Sequence, residues 1–339
     1  MPKTILLTGV TGFIAKRIAV DLLNAGYAVR GSLRSTSRQQ EVNAAIAPHL
    51  LDPTHLTRLS FQPLDLTKDS GWADAMSGVD AVIHTASPFP LAEPKNEDEL
   101  IRPAVDGALR ALKAAQKAGV KRVVLTSSTV AIMQKDFPDG YTLSPADWSE
   151  IGHPSMGSYA KSKTMAEKAA WDFVTTHPEM QLTTINPGLV LGAPTDSHYG
   201  SSLDLVRQLM TGKLPFVPNF GFPIVDIRDV SAAHVAALSK PESIGKRFLL
   251  AESYMMMPEM VRILKASHPE ARLPRGKIPK VVVRLGALVS KQARGILPMV
   301  GKQAKIDNSA TTEILGVTFT PAAEAITRAA DAVSSQTKG

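Results

Sequence analysis

Tyr159 and Lys163 stand four residues apart within residues 155–171, SMGSYAKSKTMAEKAAW. On a helix this spacing puts both side chains on one face, a turn apart. A phenol alone is a poor proton donor at neutral pH, because its pKa is about 10. A neighbouring ammonium favours the phenolate and lowers that value. Such a pair can pass a proton to or from an alcohol or carbonyl oxygen. The Y-x-x-x-K spacing is also that of an ordinary amphipathic helix, so the surrounding elements must decide.

Those elements begin at the N-terminus. Residues 3–8, KTILLT, form a short apolar run rich in β-formers and read as a buried parallel strand. Gly9-Val-Thr-Gly12-Phe-Ile-Ala15 follows, and Ile14, Ile18 and Leu22 then recur every four residues, so a helix starts inside the glycine motif. Residues 28–33 read as a second strand. In a strand–glycine turn–helix unit, backbone N–H groups can approach a pyrophosphate held at the positive helix terminus. A site that prefers NAD places an acid at the end of the second strand. Residues 27–40 contain none; the strand ends in Arg34, with Arg38 close behind. A guanidinium there can clamp a 2′-phosphate bidentately, which reads as NADP(H) over NAD(H). The alternative is a pair of solvated loop arginines.

Residues 59–66 read as a third strand ending in Asp65-Leu66. The acid there could accept a hydrogen bond from an adenine amino group or cap the next helix. Residues 80–86 read as a fourth strand, placing Thr85, Ala86 and Ser87 at its C-terminal end, where doubly wound sheets bind ligands. His84 reads as a packed, hydrogen-bonded residue. A long helix is expected over 97–119. Residues 121–126 read as a fifth strand, running into Ser127-Ser128-Thr129, whose hydroxyls would point into the same cleft. Residues 137–154 read as a loop, and 181–185 as a sixth strand. Asn186-Pro187-Gly188 then breaks regular structure where a nicotinamide ring would lie.

From about residue 195 the pattern changes. Helices are expected over 202–212 and after 225–230, with a Pro- and Phe-rich loop at 214–221. Residues 246–250 read as a strand that returns to the main sheet. The remainder reads as helical, ending in a helix over 322–333. The expected division is an NADP-binding domain over 1–190, with its return strand near 225–250, and an interleaved substrate lobe over 191–339.

Composition narrows the function classes. The 339 residues are 44% hydrophobic and 20% charged, as in a globular chain. There is no cysteine, which excludes disulfides and thiolate metal sites and fits a cytoplasmic location. MPKTILLTGV does not read as a signal peptide, and no apolar run approaches the roughly 20 residues of a membrane span. The net charge is +7. Part of it is local, because residues 272–305 carry Lys and Arg but no Asp or Glu. Anionic membrane or nucleic acid could use such a stretch. The reading adopted is a helix over the substrate lobe with its apolar face inward and its cations in solvent, hence no membrane and no nucleic-acid partner.

Taken together and in this order, Thr8-Gly9-Val-Thr-Gly12-Phe-Ile, Asp65-Leu66, His84-Thr-Ala86, Thr126-Ser-Ser128, Tyr159-Ala-Lys-Ser-Lys163 and Asn186-Pro-Gly188 resemble the extended short-chain dehydrogenase/reductase superfamily. Within it the chain is similar to the group of dihydroflavonol, cinnamoyl-CoA and yeast-type methylglyoxal (carbonyl) reductases. Val29-Arg-Gly-Ser-Leu-Arg34 and Ile306-Asp-Asn-Ser309 with Leu315-Gly316 carry that likeness. The resemblance implies an α/β fold, a doubly wound parallel sheet of Rossmann type with a smaller, mostly helical C-terminal lobe. It implies a Ser128, Tyr159, Lys163 catalytic set that reduces an aldehyde or ketone with NADPH. By the same resemblance Gly9, Thr11, Gly12, Phe13 and Ile14 bracket the pyrophosphate, and Arg34 and Arg38 hold the 2′-phosphate. Asp65 and Leu66 frame the adenine, and Thr85, Ala86 and Ser87 line the cofactor bridge. Lys163 binds the nicotinamide ribose, while Pro187, Gly188, Leu189 and Val190 pack beside the nicotinamide. The implied partner is a small carbonyl or alcohol substrate, and the chain is expected to be a monomer or homodimer.

The chain also departs from that group. Ala15 replaces the usual third glycine. Met133 stands where plant dihydroflavonol reductases have an asparagine. Pro154-Ser-Met-Gly-Ser158 lacks the motif that precedes the tyrosine in cinnamoyl-CoA reductases. A general carbonyl reductase with an apolar pocket is therefore the expectation, its walls drawn from about 89–93, 133–137 and 195–222. A sugar-nucleotide epimerase or dehydratase of the same fold, or a non-catalytic nucleotide sensor, are the rivals. A dehydratase usually has an acidic pair after the active-site hydroxyl, whereas Ser128 is followed by Thr129-Val-Ala-Ile-Met133. A sensor tends to lack the tyrosine or lysine.

Overall fold

Apolar residues alternate along the first strand, and that alternation sets the layers of the molecule. Leu6 points to one side of the sheet and Ile5 and Leu7 to the other, all three fully buried. The computed structural model describes residues 2–88, 94, 96–198 and 200–337. In chain order the first elements are β1 (Thr4–Thr8), α1 (Phe13–Asn24), β2 (Ala28–Leu33), α2 (Gln39–Ile46), β3 (Leu59–Pro63), α3 (Trp72–Met76), β4 (Ala81–His84), α4 (Asp98–Lys117) and β5 (Arg122–Thr126). Then come β6 (Tyr141–Leu143), α5 (Ser158–Thr176), β7 (Gln181–Pro187), β8 (Leu189–Leu191), α6 (Ser201–Met210), β9 (Val217–Pro218), β10 (Gly221–Asp226), α7 (Ile227–Ser239), β11 (Arg247–Leu250) and β12 (Ser253–Met256). The chain closes with α8 (Met257–Ser267), β13 (Lys277–Ile278), α9 (Lys280–Gly286), α10 (Lys291–Ile296), β14 (Ala304–Ile306), α11 (Ser309–Leu315) and α12 (Ala322–Thr337).

The central sheet has seven strands in the order β11-β7-β5-β4-β1-β2-β3. Every neighbouring pair is parallel. This is the expected doubly wound sheet. After β3 the chain crosses back to the other side of β1, so the order reverses between β1 and β4. Ligands of open α/β sheets bind at that switch point, outside the C-terminal strand ends. One face of the sheet packs on α1, α2 and α7, the other on α3, α4 and α5.

Element positions follow the sequence reading with physical shifts at the ends. β3 stops at Pro63 because Asp65 turns the chain, its Oδ1 accepting from Thr67 N (2.9 Å) and Thr67 Oγ1 (2.8 Å). β7 runs on to Pro187 because β11 pairs beside it, Leu250 opposite Pro187. The return strand is therefore real, at Arg247–Leu250.

Two expectations fail. The stretch 137–154 contains β6, the expected loop at 214–221 contains β9, and the C-terminal region contains β12, β13 and β14 beside its helices. Each is only two to four residues long and pairs with a distant partner, β6 with β14, β13 with β9 and β12 with β10. A strand that short has no periodicity of its own to read. The second failure is α9. Only Val283 and Ala287 face inward, while Val281, Val282, Leu285, Leu288 and Val289 are between 50% and 90% exposed. The apolar side of this segment points outward.

Candidate active site

The turn after β1 is built for close approach. Gly9 has φ +69°, and a Cβ there would lie 3.0 Å from Ala86 Cα. Both the left-handed backbone and the contact with the end of β4 require glycine. Thr8 ties the two strand ends together. Its Oγ1 accepts from Ala86 N at 3.1 Å and shares a hydrogen bond with His84 Nδ1 at 2.9 Å. Thr85 Oγ1 donates to Thr8 O at 2.5 Å. His84 is the packed residue the sequence suggested, and burial, with Lys163 nearby, pushes its pKa down to about 3. Helix α1 starts at Gly12 with no side-chain cap and no acid in its first turn. Its own first turn thus brings no anion to the positive end. Phe13 and Ile14 pack on the sheet core, and Phe13 also touches the core of the C-terminal lobe. Thr11 is half-buried beside them.

The two arginines expected near the adenosine ribose differ. Arg34 is exposed at the end of β2 and makes no ion pair among the described residues. Arg38 donates to both oxygens of Glu41, from Nε at 2.8 Å and Nη2 at 2.6 Å, which holds the Glu41 carboxyl down at about 2. Glu41 also lies 3.6 Å from Lys16 Nζ. Lys16 is fully buried and pairs with Asp196, so the first turns of α1 are tied to the segment after β8. Asp65 spends one oxygen on its own turn, while Leu66 packs near Gly107 of α4. Opposite, Gly188 must be glycine because an added Cβ would lie 2.3 Å from Pro223 O. Leu189 and Val190 form β8 alongside β10. Of the expected pocket walls, 89–93 lie outside the described residues. Met133 and Phe137 are buried in a satellite core with Leu143, Leu249 and Met299.

Ser128, Tyr159 and Lys163 meet at the end of β5. Tyr159 and Lys163 share a face of α5 as the spacing predicts. Ser128 hydrogen-bonds to Tyr159. Its Oγ also accepts from Val130 N at 3.3 Å. Lys163 Nζ donates to Thr126 O at 3.3 Å, two residues before Ser128. A cavity of about 10 Å³, the space of a single water, lies between His84, Ser87, Thr126, Lys163 and Glu167.

The electrostatics differ from the sequence expectation in one respect. Tyr159 is half-buried, and desolvation of its hydroxyl pushes its pKa up to about 12, against the Ser128 hydrogen bond, which lowers it. Burial brings Lys163 down to about 8, while the charge of Glu167 raises it. Desolvation thus outweighs the Ser128 hydrogen bond, and Tyr159 keeps its proton at neutral pH.

Glu167 went unread in the sequence, although it continues the series Tyr159, Lys163 at the same four-residue spacing. It is buried and fully partnered. Ser127 Oγ donates to it at 2.5 Å, Asn186 Nδ2 at 2.7 Å, Thr184 Oγ1 at 2.9 Å and Arg247 Nε at 2.7 Å. Arg247 lies over the Trp148 ring at 3.6 Å and donates to Pro145 O and Asp147 O. Asn186 Nδ2 also donates to Ser128 O at 3.2 Å. One carboxylate therefore connects α5, β5, β7 and β11 immediately behind the Ser128–Tyr159–Lys163 group.

Known proteins share this arrangement of chain. The sequence pattern of the NAD dependent epimerase/dehydratase family matches residues 5–251. An anthocyanidin reductase of Vitis vinifera is 31% identical over 80% of this chain and 83% of its own. Cinnamoyl-CoA reductase 1 of Arabidopsis thaliana is 34% identical over 80% of this chain and 77% of its own. The crystal structure of yeast methylglyoxal/isovaleraldehyde reductase Gre2 complexed with NADPH superposes with a TM-score of 0.82 at 28% identity, covering 99% of both chains.

Proposed function

The chain belongs to the NAD dependent epimerase/dehydratase family, and from its reductase relatives and the geometry of its site we propose that it is an NADPH-dependent reductase of aldehydes or ketones, reversible toward the alcohol. The observation that carries the reading is the meeting of Ser128, Tyr159 and Lys163 beside the Gly9 turn at the sheet's switch point. The fit to the cofactor rests on the glycine cradle, on the uncapped α1 terminus and on Arg34, a cation with no ion pair among the described residues. When bound, NADPH supplies the hydride.

The chain's own residues divide the remaining work. Gly9, Thr11, Gly12, Phe13 and Ile14 hold the pyrophosphate, and Arg34 takes the 2′-phosphate. Arg38, already neutralised by Glu41, contributes less there. Asp65 and Leu66 flank the adenine, Thr85 to Ser87 the middle of the cofactor, and Pro187 to Val190 the nicotinamide side. Lys163 takes the ribose hydroxyls. Tyr159 gives its proton to the substrate oxygen as that oxygen becomes alkoxide-like. A phenol pushed up to about 12 still loses its proton readily to an alkoxide, a far stronger base. Ser128 donates a hydrogen bond to the same oxygen and stabilises its developing charge. Lys163 stabilises the phenolate left behind until Tyr159 is reprotonated from solvent. Residues 191–339 supply most of the substrate side, and a cytoplasmic site of action belongs to the same proposal.

The test is a screen for NADPH consumption over aldehydes, α-ketoesters, diketones and aryl ketones, with NADH run alongside. Turnover of at least one carbonyl class, faster with NADPH, is expected. A protein that binds NADPH but reduces none of them contradicts the reading.

A further inference from the structure

On a helix, Val283 and Ala287 stand one turn apart and mark the side of the α9 segment that docks on the lobe. Val281, Leu285 and Leu288 follow the i, i+4, i+7 spacing of the opposite side. They are 62%, 62% and 75% exposed, and Val289 beyond them is 90% exposed. Phe216, half exposed, joins the same surface: β9 pairs with β13, and Gly276 lies against the Phe216 ring. A stretch of large aliphatic side chains held outward is unusual for a monomer's surface and marks a contact site.

The charges around it identify the partner. Residues 272–305 contain nine Lys and Arg and no Asp or Glu. Arg272, Arg275, Lys277, Lys280 and Arg284 are exposed, and none has a carboxylate within ion-pair distance among the described residues. Several arginines elsewhere are paired, as Arg207 is with Asp204 and Arg228 with Asp226. A second copy docked symmetrically on this surface would set these cations against themselves. Nucleic acid would meet mainly protruding aliphatic tips, with Phe216 as the ring named among them. An anionic bilayer answers both features, since acyl chains receive the aliphatic tips and lipid phosphates the flanking cations.

We propose that the α9 segment with the Phe216 loop is a peripheral membrane-contact surface that docks the C-terminal lobe on anionic phospholipid. No described helix is long and apolar enough to cross a membrane, and this contact does not span one. The surface lies outside the Ser128–Tyr159–Lys163 site, and its proof needs no turnover.

The full chain is to be sedimented with vesicles of phosphatidylcholine, with and without phosphatidylglycerol. Binding to the anionic vesicles should exceed binding to the neutral ones by about tenfold or more and should fall with added salt. A variant carrying V281S, L285S, L288S and V289S should lose about tenfold in binding, and so should K280E with R284E. Circular dichroism melting and sedimentation velocity on the same samples should show unchanged fold and unchanged oligomeric state. Equal binding to both vesicle types, no binding to either, or variants that bind like the parent overturn the proposal. So does a serine variant that changes from dimer to monomer, which would make the surface an interface between copies.

Discussion

The strand-end site and the α9 surface invert the usual placement of side chains in opposite ways. At the site, polar and ionisable groups are buried: Lys163, Glu167, His84, Asn186 and Ser128 are each less than 9% exposed, and every one has a partner. On α9, aliphatic groups are exposed and, among the described residues, the cations stand without an ion pair. Burying a charge is unfavourable unless it is paired, and exposing aliphatic surface is unfavourable unless something covers it. The first region therefore supplies its complement from within the chain, through Arg247, Thr184 and Ser127. The second supplies none. Each departs from the simplest stable arrangement, but only the first is self-contained.

The contrast sharpens with a substitution on each side. Replacing Arg247 by Met leaves the Glu167 carboxylate buried without its cation, and breaking a buried pair in this way costs about 3–5 kcal/mol. Chemical denaturation should show a loss of that size; a loss under about 1 kcal/mol would make the network behind the site no tighter than a surface ion pair.

Next in size is the separation of two exposed arginines. Arg34→Ala removes a charge-assisted contact to the 2′-phosphate and should raise the KM for NADPH by about 10–100-fold, leaving NADH little changed. Arg284→Ala, on the other surface, should change neither. Equal effects of Arg34→Ala on the two cofactors would remove the 2′-phosphate role.

A third consequence is pH-dependent. Burial brings His84 down to about 3 and His234 to about 4, whereas both titrate near 6.5 when unfolded. Below pH 6.5 the unfolded chain binds protons the folded chain does not, so stability falls as pH falls. Between about pH 6 and 4 the slope should approach about 1.4 kcal/mol per pH unit for each histidine. His234→Gln, which can still hydrogen-bond to Thr126, should reduce that slope by one proton's worth; an unchanged slope would contradict the assignment. The smallest effect belongs to the other region, where Leu285→Ser should shift stability by no more than about 0.5 kcal/mol at any pH, as for an exposed position free of special contacts. A larger loss would mean that Leu285 is packed.

How much could be read in advance follows the same division. The six strands leading to the site, the return strand, the glycine turn and the Ser128–Tyr159–Lys163 group were legible, because apolar runs and fixed spacings record them locally. Glu167 was legible in principle, one helical turn past Lys163, but its role depends on Arg247, eighty residues away, which no spacing announces. The short strands β6, β9, β12, β13 and β14 are defined by their partners alone. The pKa of Tyr159 was misjudged because the sequence shows the ammonium beside the phenol but not the protein packed around it. On α9 the periodicity was visible while its direction was not, since a helical stripe looks the same from sequence whether it faces the core or solvent.

The central claim is that Tyr159 is the proton donor in NADPH-dependent carbonyl reduction. It is tested most directly by comparing Tyr159→Phe with the parent, using the best carbonyl substrate and measuring NADPH affinity in the same preparation. Turnover should fall by about 10²–10⁴-fold, the range for loss of a general acid, with NADPH affinity within a few-fold of the parent. Undiminished turnover with normal NADPH binding would contradict the account.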